Sequence, residues 1–161
     1  MKEIQLTQGK VALVDDEDYD YLMQWKWFAN KKGSTFYAVR SLHSNNVRKT
    51  IFMHRLITNN INTKMQTDHL NGNGLDNRKI NLRICTTSQN SMNRGLQINN
   101  TTGFKGVNYD KFSNKFRAQI RVNNIYKNLG YYIDPKDAAR AYNEAAIKLH
   151  GEFANLNKIE I

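Results

Sequence analysis

Two consecutive Asn-Gly dipeptides at positions 71–74 constrain the fold of this chain more than any other local feature. Asn-Gly favours tight turns because both residues tolerate a positive φ. The chain therefore turns back directly after Asp68 and His69. The segment 82–85 is a candidate for a short returning strand. The local prediction is a strand, a glycine-rich loop and a second strand.

A helix is predicted to follow the second strand. Thr86 and Gln89 have the spacing of a capping box, in which the two side chains satisfy backbone N–H groups at a helix N-terminus. Asn90 then lies in the first turn of that helix. The predicted order becomes strand, loop, strand, helix.

Three polar side chains of this segment suit metal-assisted hydrolysis. Asp68 offers hard carboxylate oxygen of the kind that Mg²⁺ or Mn²⁺ binds, and Asn90 offers an amide oxygen as a second ligand. His69 can act as a general base near neutral pH. The residue types alone leave open a purely structural role for the Asp-His pair.

Three neighbouring residues could support this chemistry. Asn81 could lock the loop or hydrogen-bond the His69 ring and so fix its tautomer. Arg78 and Arg83 could hold phosphate groups through their guanidinium groups.

The charge distribution points to a polyanionic partner. The chain carries 24 Lys and Arg against 14 Asp and Glu, a net charge of +10. Residues 21–94 contain twelve basic side chains and two acidic ones, Asp68 and Asp76. A segment this basic is typical of nucleic-acid-binding surfaces, and general solubility is the alternative explanation.

Other features exclude several classes of protein. Cys85 is the only cysteine, which excludes an intrachain disulfide framework and a cysteine-rich zinc site. No apolar run approaches the roughly 18–20 residues of a membrane span. The first residues lack the apolar segment of a signal peptide. We expect a cytoplasmic protein that is not secreted and has no membrane partner.

The first 60 residues predict a small α+β unit. Residues 10–14 form a strand candidate, and Asp15 or Asp16 could cap a following helix. The apolar face of that helix has three residues at the spacing i, i+3 and i+4: Tyr19, Leu22 and Met23. Further elements are predicted downstream: a strand at 35–40, a polar turn at 44–46 and a strand at 47–53.

Residues 104–157 predict a second unit. Polar and apolar side chains alternate along 115–122, which is typical of a half-buried strand. Strands at 105–110 and 125–133 flank it, and a helix follows, with Asp134 and Pro135 at its start and Gly151 at its end. The prediction is a three-stranded antiparallel sheet with one helix on its apolar face.

The polar face of the 115–122 strand carries Lys115, Arg117, Gln119 and Arg121. A two- or three-stranded ribbon fits the DNA major groove, where arginine reads guanine and glutamine reads adenine. An ordinary solvated strand face is the alternative interpretation.

The segment from Asp68 to Asn90 resembles the HNH endonuclease motif, in the variant common among phage and intron homing endonucleases. The chain has the pattern Asp-His-x-Asn-Gly-x-x-x-Asp-Asn-Arg-x-x-Asn-Leu-Arg-x-x-Thr-x-x-x-Asn. The resemblance implies a ββα-metal fold, with Asp68 and Asn90 as metal ligands and His69 as the general base. It also implies that Asn81 orients the loop and His69. The upstream segment 54–57, His-Arg-Leu-Ile, accompanies this family, and packing or phosphate contact is its expected role.

Residues 102–157 resemble the APETALA/ethylene-response-factor DNA-binding domain, which also occurs attached to phage and bacterial HNH nucleases. The similarity is carried by Gly103-Phe104-Lys105-Gly106-Val107, by Leu129-Gly130 and by the alanine-rich helix segment 138–146. It implies major-groove contact by five residues: Lys105, Asn108, Arg117, Gln119 and Arg121. Asn108 and Asn128 stand where plant members usually have Arg and Trp, so plant-type target specificity is not expected.

The sequence thus predicts an α+β chain in three parts: a nuclease module with an N-terminal α+β extension at 1–94, a linker at 95–103 and a DNA-binding domain at 104–157. The predicted function is metal-dependent hydrolysis of double-stranded DNA, as a nick or a double-strand break, by a monomer or a homodimer on DNA. A DNA-binding or regulatory protein without cleavage is the main alternative. An RNA-binding accessory protein is a third, weaker hypothesis.

Overall fold

The computed structural model describes residues 1–44, 47–60 and 64–160. The chain divides into two compact units, Met1–Thr87 and Ser88–Ile161. This division falls one residue into the helix that follows the Asp68-His69 hairpin, whereas the sequence places the end of the nuclease module at residue 94. In the described residues, the first unit combines three small antiparallel sheets with helices and the second combines one such sheet with helices, so the secondary structure is α+β in character.

The first unit begins with a two-stranded sheet, a helix and a three-stranded sheet. β1 (Lys2–Gln5) pairs with β2 (Val11–Val14), and α1 (Asp16–Leu22) follows. The next sheet has the order β3 (Phe28–Lys32), β4 (Thr35–Ser44) and β5 (Val47–Phe52). Asn45 and Asn46 of the predicted turn lie outside the described residues.

The remainder of the first unit carries the predicted site. A short helix, α2 (Met53–Ile57), follows β5, and a hairpin of β6 (Gln66–His69) and β7 (Leu82–Cys85) comes later. β1, β3 and α2 were not predicted from the sequence. The segment between β6 and β7 contains the Asn-Gly dipeptides, and Gly72 has a φ of 73°.

The core of the first unit draws on most of these elements: Ile4, Ala12, Val14, Leu22, Trp27, Ala38 and Met53. The Nε1 of Trp27 donates to the Leu22 carbonyl at 2.8 Å, which satisfies the buried indole. Met23 was predicted on the buried face of α1, and this was wrong: its side chain is 50% exposed. Met23 is the C-cap residue of this seven-residue helix, so its side chain lies at the end of the helix, past the residues that the core covers.

The second unit contains two α-helices, a short 3-10 helix (Gly151–Phe153) and a three-stranded antiparallel sheet in its described part. α3 (Thr87–Asn93) opens it, with only Thr87 assigned to the first unit. The sheet has the order β10 (Ile125–Tyr132), β9 (Lys115–Val122) and β8 (Val107–Asp110). α4 (Pro135–His150) packs on the sheet face formed by Val107, Ala118 and Ile120, through Ala138, Ala139, Tyr142 and Ala146.

The ends of α4 follow the local signals in the sequence. Asp134 is the N-cap residue, and its Oδ1 accepts from the Lys136 backbone N–H at 2.7 Å. Gly151 is the C-cap residue, with a φ of 55° that favours glycine. Within the described ranges, none of the helices has the length and apolar character needed to span a membrane.

Candidate active site

The β6–β7 hairpin positions Asp68 and His69. In the antiparallel register, Asp68 lies opposite Arg83 and His69 lies opposite Leu82. Asp68 and His69 are both buried, with 7% and 5% of their surface exposed. Arg83 donates from Nε and Nη2 to the Asp68 Oδ2, at 3.0 and 2.8 Å. The carboxylate is therefore held in a fixed position by a mostly buried ion pair.

Asn81 closes the loop that joins the two strands. Its Oδ1 accepts from the Asn71 backbone N–H at 3.0 Å, and its Nδ2 donates to the Asp76 carbonyl at 2.8 Å. The Asn81 carbonyl accepts from the Leu70 N–H at 2.9 Å. One buried amide side chain thus ties the first part of the loop to its last part, which limits the conformations open to the residues after His69.

Asp76 fastens the same loop from its other side. Its carboxylate accepts two charge-assisted hydrogen bonds from Arg78, from Nε at 2.7 Å and from Nη2 at 2.6 Å, and one from the Asn71 Nδ2 at 2.9 Å. The Arg78 hydrogen bond is the main reason that the pKa of Asp76 lies below its ordinary value. Asp76 also forms a parallel bridge with Leu13 of β2, which docks the loop on the N-terminal sheet.

Asn77 is a site residue that the sequence analysis missed. It is fully buried, and its backbone N–H donates to the Leu13 carbonyl at 2.8 Å. Its Nδ2 donates to the Leu75 carbonyl at 3.1 Å, so its Oδ1 faces the Nε2 of His69, 3.5 Å away. The Asp-Asn-Arg stretch inside the motif is the signal that could have identified it.

The Asn77 contact has a consequence for the His69 tautomer. An amide Oδ1 only accepts hydrogen bonds, so the contact requires the proton on Nε2 and leaves the lone pair on Nδ1. Burial lowers the pKa of His69 below its ordinary value, although Asn77, Asp68 and Asp76 oppose that effect. The imidazole is therefore neutral at neutral pH, the state that a general base requires.

The remaining sequence-predicted residues of this site differ in their placement. Arg78 and Arg83, predicted to hold phosphates, are each engaged with a carboxylate of the chain, and contact with DNA stays a prediction for both. Asn90 lies on α3, which is assigned with the second unit. Its partnership with Asp68 rests on the motif alone. Among residues 1–44, 47–60 and 64–160, no group of three or more His, Cys, Asp or Glu is placed to hold a metal ion.

The predicted recognition face lies on the sheet of the second unit. Arg117, Gln119 and Arg121 occupy alternate positions of the central strand β9, opposite the face that packs on α4. Asn108 of β8 is exposed and lies opposite Arg117 in the register. These four residues share one side of the sheet because directly opposed residues in an antiparallel pair point the same way.

Two tyrosines extend this face and were not predicted from the sequence. Tyr131 lies opposite Arg117 and Tyr126 opposite Arg121, both on β10, with 44% and 62% of their surface exposed. The Arg121 guanidinium lies 5.5 Å from the centroid of the Tyr126 ring. The two tyrosines are five residues apart, a spacing that points to opposite faces of a regular strand, and the register shift between Asn128 and Gly130 brings both to this face. The face therefore combines cationic, amide and aromatic side chains.

Lys105 is engaged inside the second unit. Its ammonium group donates to the Met92 carbonyl in the last turn of α3, and burial lowers its pKa to about 8. The Asn157 side chain brackets the Lys105 backbone, accepting from its N–H at 2.6 Å and donating to its carbonyl at 3.0 Å. DNA contact by Lys105 stays a prediction, made from the resemblance.

Comparison with known proteins identifies the class to which this arrangement belongs. The chain is 32% identical over 155 residues to an uncharacterized HNH endonuclease of Acanthamoeba polyphaga mimivirus, covering 95% of this chain and 78% of that protein. It is also 30% identical over 87 residues to Protein 3.8 of Escherichia phage T7, covering 54% of this chain and 71% of that protein. No protein-family model and no solved structure matches the chain. The first relative spans nearly the whole chain, and the chain therefore belongs to the HNH endonuclease family.

Proposed function

We propose that this protein is a DNA endonuclease of the HNH homing type that hydrolyses a phosphodiester in double-stranded DNA. The observation that carries the proposal is the pair formed by His69 and Asn77. A buried, neutral imidazole beside a fixed amide acceptor presents its Nδ1 as a base. A protein that only bound DNA would have no need for a base held in this way next to a carboxylate.

Each residue of the hairpin has a distinct role in the proposed reaction. His69 takes a proton from the attacking water at Nδ1, and Asn77 keeps the other ring proton on Nε2. Asn81 holds the loop that follows His69, and Arg83 fixes the Asp68 carboxylate. Hydrolysis with a leaving 3′ oxygen produces 5′-phosphate and 3′-hydroxyl ends.

The donor set fits a hard divalent cation. The Asp68 carboxylate is an oxygen ligand of the kind that Mg²⁺ and Mn²⁺ prefer, and the motif gives Asn90 as the second ligand. When bound, such an ion supplies charge neutralisation at the scissile phosphate and at the leaving oxygen. One carboxylate and one amide form a weak site, so phosphate oxygens and water complete it and tight binding requires DNA.

The second unit is proposed to hold and read the duplex. The sheet face opposite α4 carries the half-buried Arg117 and Gln119 and the exposed Arg121 in one row, and the chain has a net charge of +10. Arginine and glutamine are suited to base edges in the major groove. The resemblance to the APETALA/ethylene-response-factor domain supports this docking mode. One nuclease site per chain favours nicking by a monomer, and a homodimer on DNA would cut both strands.

Plasmid conversion with Mg²⁺ or Mn²⁺ tests the reaction. We expect open-circle DNA from the wild type and a rate about 10²–10⁴-fold lower from His69→Ala. His43→Ala, which removes an exposed histidine of β4, is the matched control and should cut normally. DNA affinity, measured by mobility shift, should be equal in all three proteins. Wild-type protein that binds but never cuts would support the non-cleaving alternative, and normal cutting by His69→Ala would contradict the base assignment.

Calorimetric metal titration tests the proposed ligands. Free protein should bind Mg²⁺ or Mn²⁺ poorly, and the DNA complex should bind it tightly. Asp68→Asn should abolish the tight metal binding and most of the cleavage, because the only charged ligand of the ion is lost. Its affinity for DNA should be kept. Tight zinc binding by the free protein, together with normal cleavage by Asp68→Asn, would overturn the assignment.

A further inference from the structure

His54 lies directly beside the proposed base. It is the second residue of α2, and only 6% of its surface is exposed. Its ring centroid lies 5.0 Å from that of His69, with an interplanar angle of 86°. The Tyr37 ring centroid lies 5.5 Å from that of His54 and 5.8 Å from that of His69, and the Phe52 centroid lies 5.3 Å from that of His54. We call these four side chains the ring cluster: Tyr37, Phe52, His54 and His69.

The backbone around His54 is tied to the strand that carries Asp68 and His69. The His54 carbonyl accepts from the Thr58 hydroxyl at 2.8 Å and from the Thr58 N–H at 3.1 Å. The Thr58 hydroxyl is also 3.2 Å from that of Thr67, which directly precedes Asp68 in β6. The Asn60 Nδ2 donates to the same Thr67 hydroxyl at 3.1 Å. Hydrogen bonds as well as ring contacts therefore hold helix α2 in place beside β6.

The charge state of His54 limits what it can do. Burial, with a further effect from His69, lowers its pKa to about 3, so it is neutral at any working pH. A neutral imidazole with so low a pKa is a poor proton donor to a leaving group. Its Nδ1 is buried and has no hydrogen-bond partner in the described part of the chain. The ring therefore acts through its shape and its contacts, without adding positive charge next to His69.

We propose that His54 is a positioning residue of the nuclease site, whose ring packs edge-on against His69 and holds that imidazole against Asn77. The Asn77 Oδ1 contacts the His69 ring at Nε2, at one end of the imidazole, over 3.5 Å. The perpendicular His54 ring and the Tyr37 ring pack against the imidazole itself and limit its orientation. This inference rests on the proposed function and assigns a role to the His-Arg-Leu-Ile segment that accompanies the motif.

Three variants separate positioning from simple packing. His54→Ala removes the ring, and we expect kcat for plasmid nicking to fall by about 10–100-fold with KM and DNA affinity unchanged, since a displaced catalytic group of this kind costs rate at that scale. His54→Phe keeps an aromatic ring of similar shape and should stay within about threefold of the wild-type rate. Leu56→Ala removes core packing from the same helix and should lower the melting temperature while kcat, measured well below that temperature, is kept.

A spectroscopic measurement makes the test independent of cleavage. Imidazole ¹⁵N shifts report the tautomer of His69, which should be a single Nε2–H form in the wild type and in His54→Phe, and a mixture in His54→Ala. Wild-type kcat in His54→Ala, or equal losses in the Phe and Ala variants, would overturn the proposal. If the wild type does not cut at all, the proposed function fails, and an unchanged His69 tautomer in His54→Ala would then overturn this inference separately. If His54→Ala does not fold, a rate loss or a mixed tautomer in His54→Phe overturns it.

Discussion

Arg83 donates two hydrogen bonds to one oxygen of Asp68, from Nε at 3.0 Å and from Nη2 at 2.8 Å. The two residues face each other across the β6–β7 hairpin, and their side chains are 12% and 8% exposed. The carboxylate proposed to bind a cation is thus already paired with a cation of the chain. Because both charges are largely removed from water, loss of one partner is costly.

Arg83→Ala should destabilise the first unit by about 3–5 kcal/mol, the cost of leaving a buried carboxylate unpaired. Urea unfolding at pH 7 measures this change. Lys79→Ala is a control from the same unit, since its ion pairs with Glu17 and Asp18 involve an ammonium group that is half exposed. Lys79→Ala should lower the free energy of unfolding far less than Arg83→Ala does. An equal loss in the two variants would contradict the conclusion that burial makes the Arg83–Asp68 pair costly to break.

The Asp76 carboxylate makes the stability of the folded protein depend on pH in the acid range. Its pKa is lowered from 3.8 in the folded protein, mainly by Arg78, so its stabilising effect is fully present above about pH 4 and is lost as the pH falls through the lower folded value. Asp76→Asn should therefore be less stable than the wild type at pH 5–7, and the difference should shrink below about pH 4. Denaturant unfolding at several pH values measures it, with the exposed Asp20→Asn as control. A difference that grows on acidification would contradict this account.

Gly106 and Gly103 offer a matched pair of substitutions in the second unit. Both have a φ of 75°, which costs an alanine roughly 1–2 kcal/mol. A Cβ at Gly106 would also lie 2.1 Å from the Tyr142 ring and 2.7 Å from the Gln119 carbonyl, whereas at Gly103 nothing lies within 4 Å. Gly103→Ala should lower stability modestly, and Gly106→Ala should unfold the unit or nearly so. Circular dichroism melting curves compare them, and similar melting temperatures would show that Tyr142 moves aside freely.

The recognition face predicts that loss of one of its arginines lowers the selectivity for a target DNA sequence, whereas loss of the same charge elsewhere does not. Arg121→Ala should reduce discrimination between a selected target duplex and random DNA by about 1–3 kcal/mol if the side chain reads a base. Lys148→Ala removes the same charge from the exposed side of α4 and should leave discrimination unchanged. Binding would be measured at one salt concentration with a target obtained by selection on the wild type. Equal discrimination by both variants would place base readout elsewhere.

The sequence was most informative where structure depends on neighbouring residues. Asp134, Pro135 and Gly151 are local signals, and α4 begins and ends at them. Asn81 was recognised because its motif spacing places it at the end of the loop. Asn77 and His54 were not assigned to the site, because their positions depend on contacts with β2 and with the ring cluster, which no local spacing encodes. Strand β1 was missed for the same reason, since it is defined by pairing with β2.

The hydrogen bonds at the C-terminal end of α3 bear on where a chimaera of this protein can be joined. The carbonyls of Met92 and Asn93 would have no partner within their own helix, and they accept from the Lys105 ammonium and the Asn155 amide of the second unit. A chimaera in which only the residues after the linker were exchanged would lose Lys105 and Asn155, the two donors to the helix that carries Asn90. A chimaera joined before α3 would keep this helix together with the Lys105 and Asn155 side chains that bind its last carbonyls, and it would exchange Asn90 along with them.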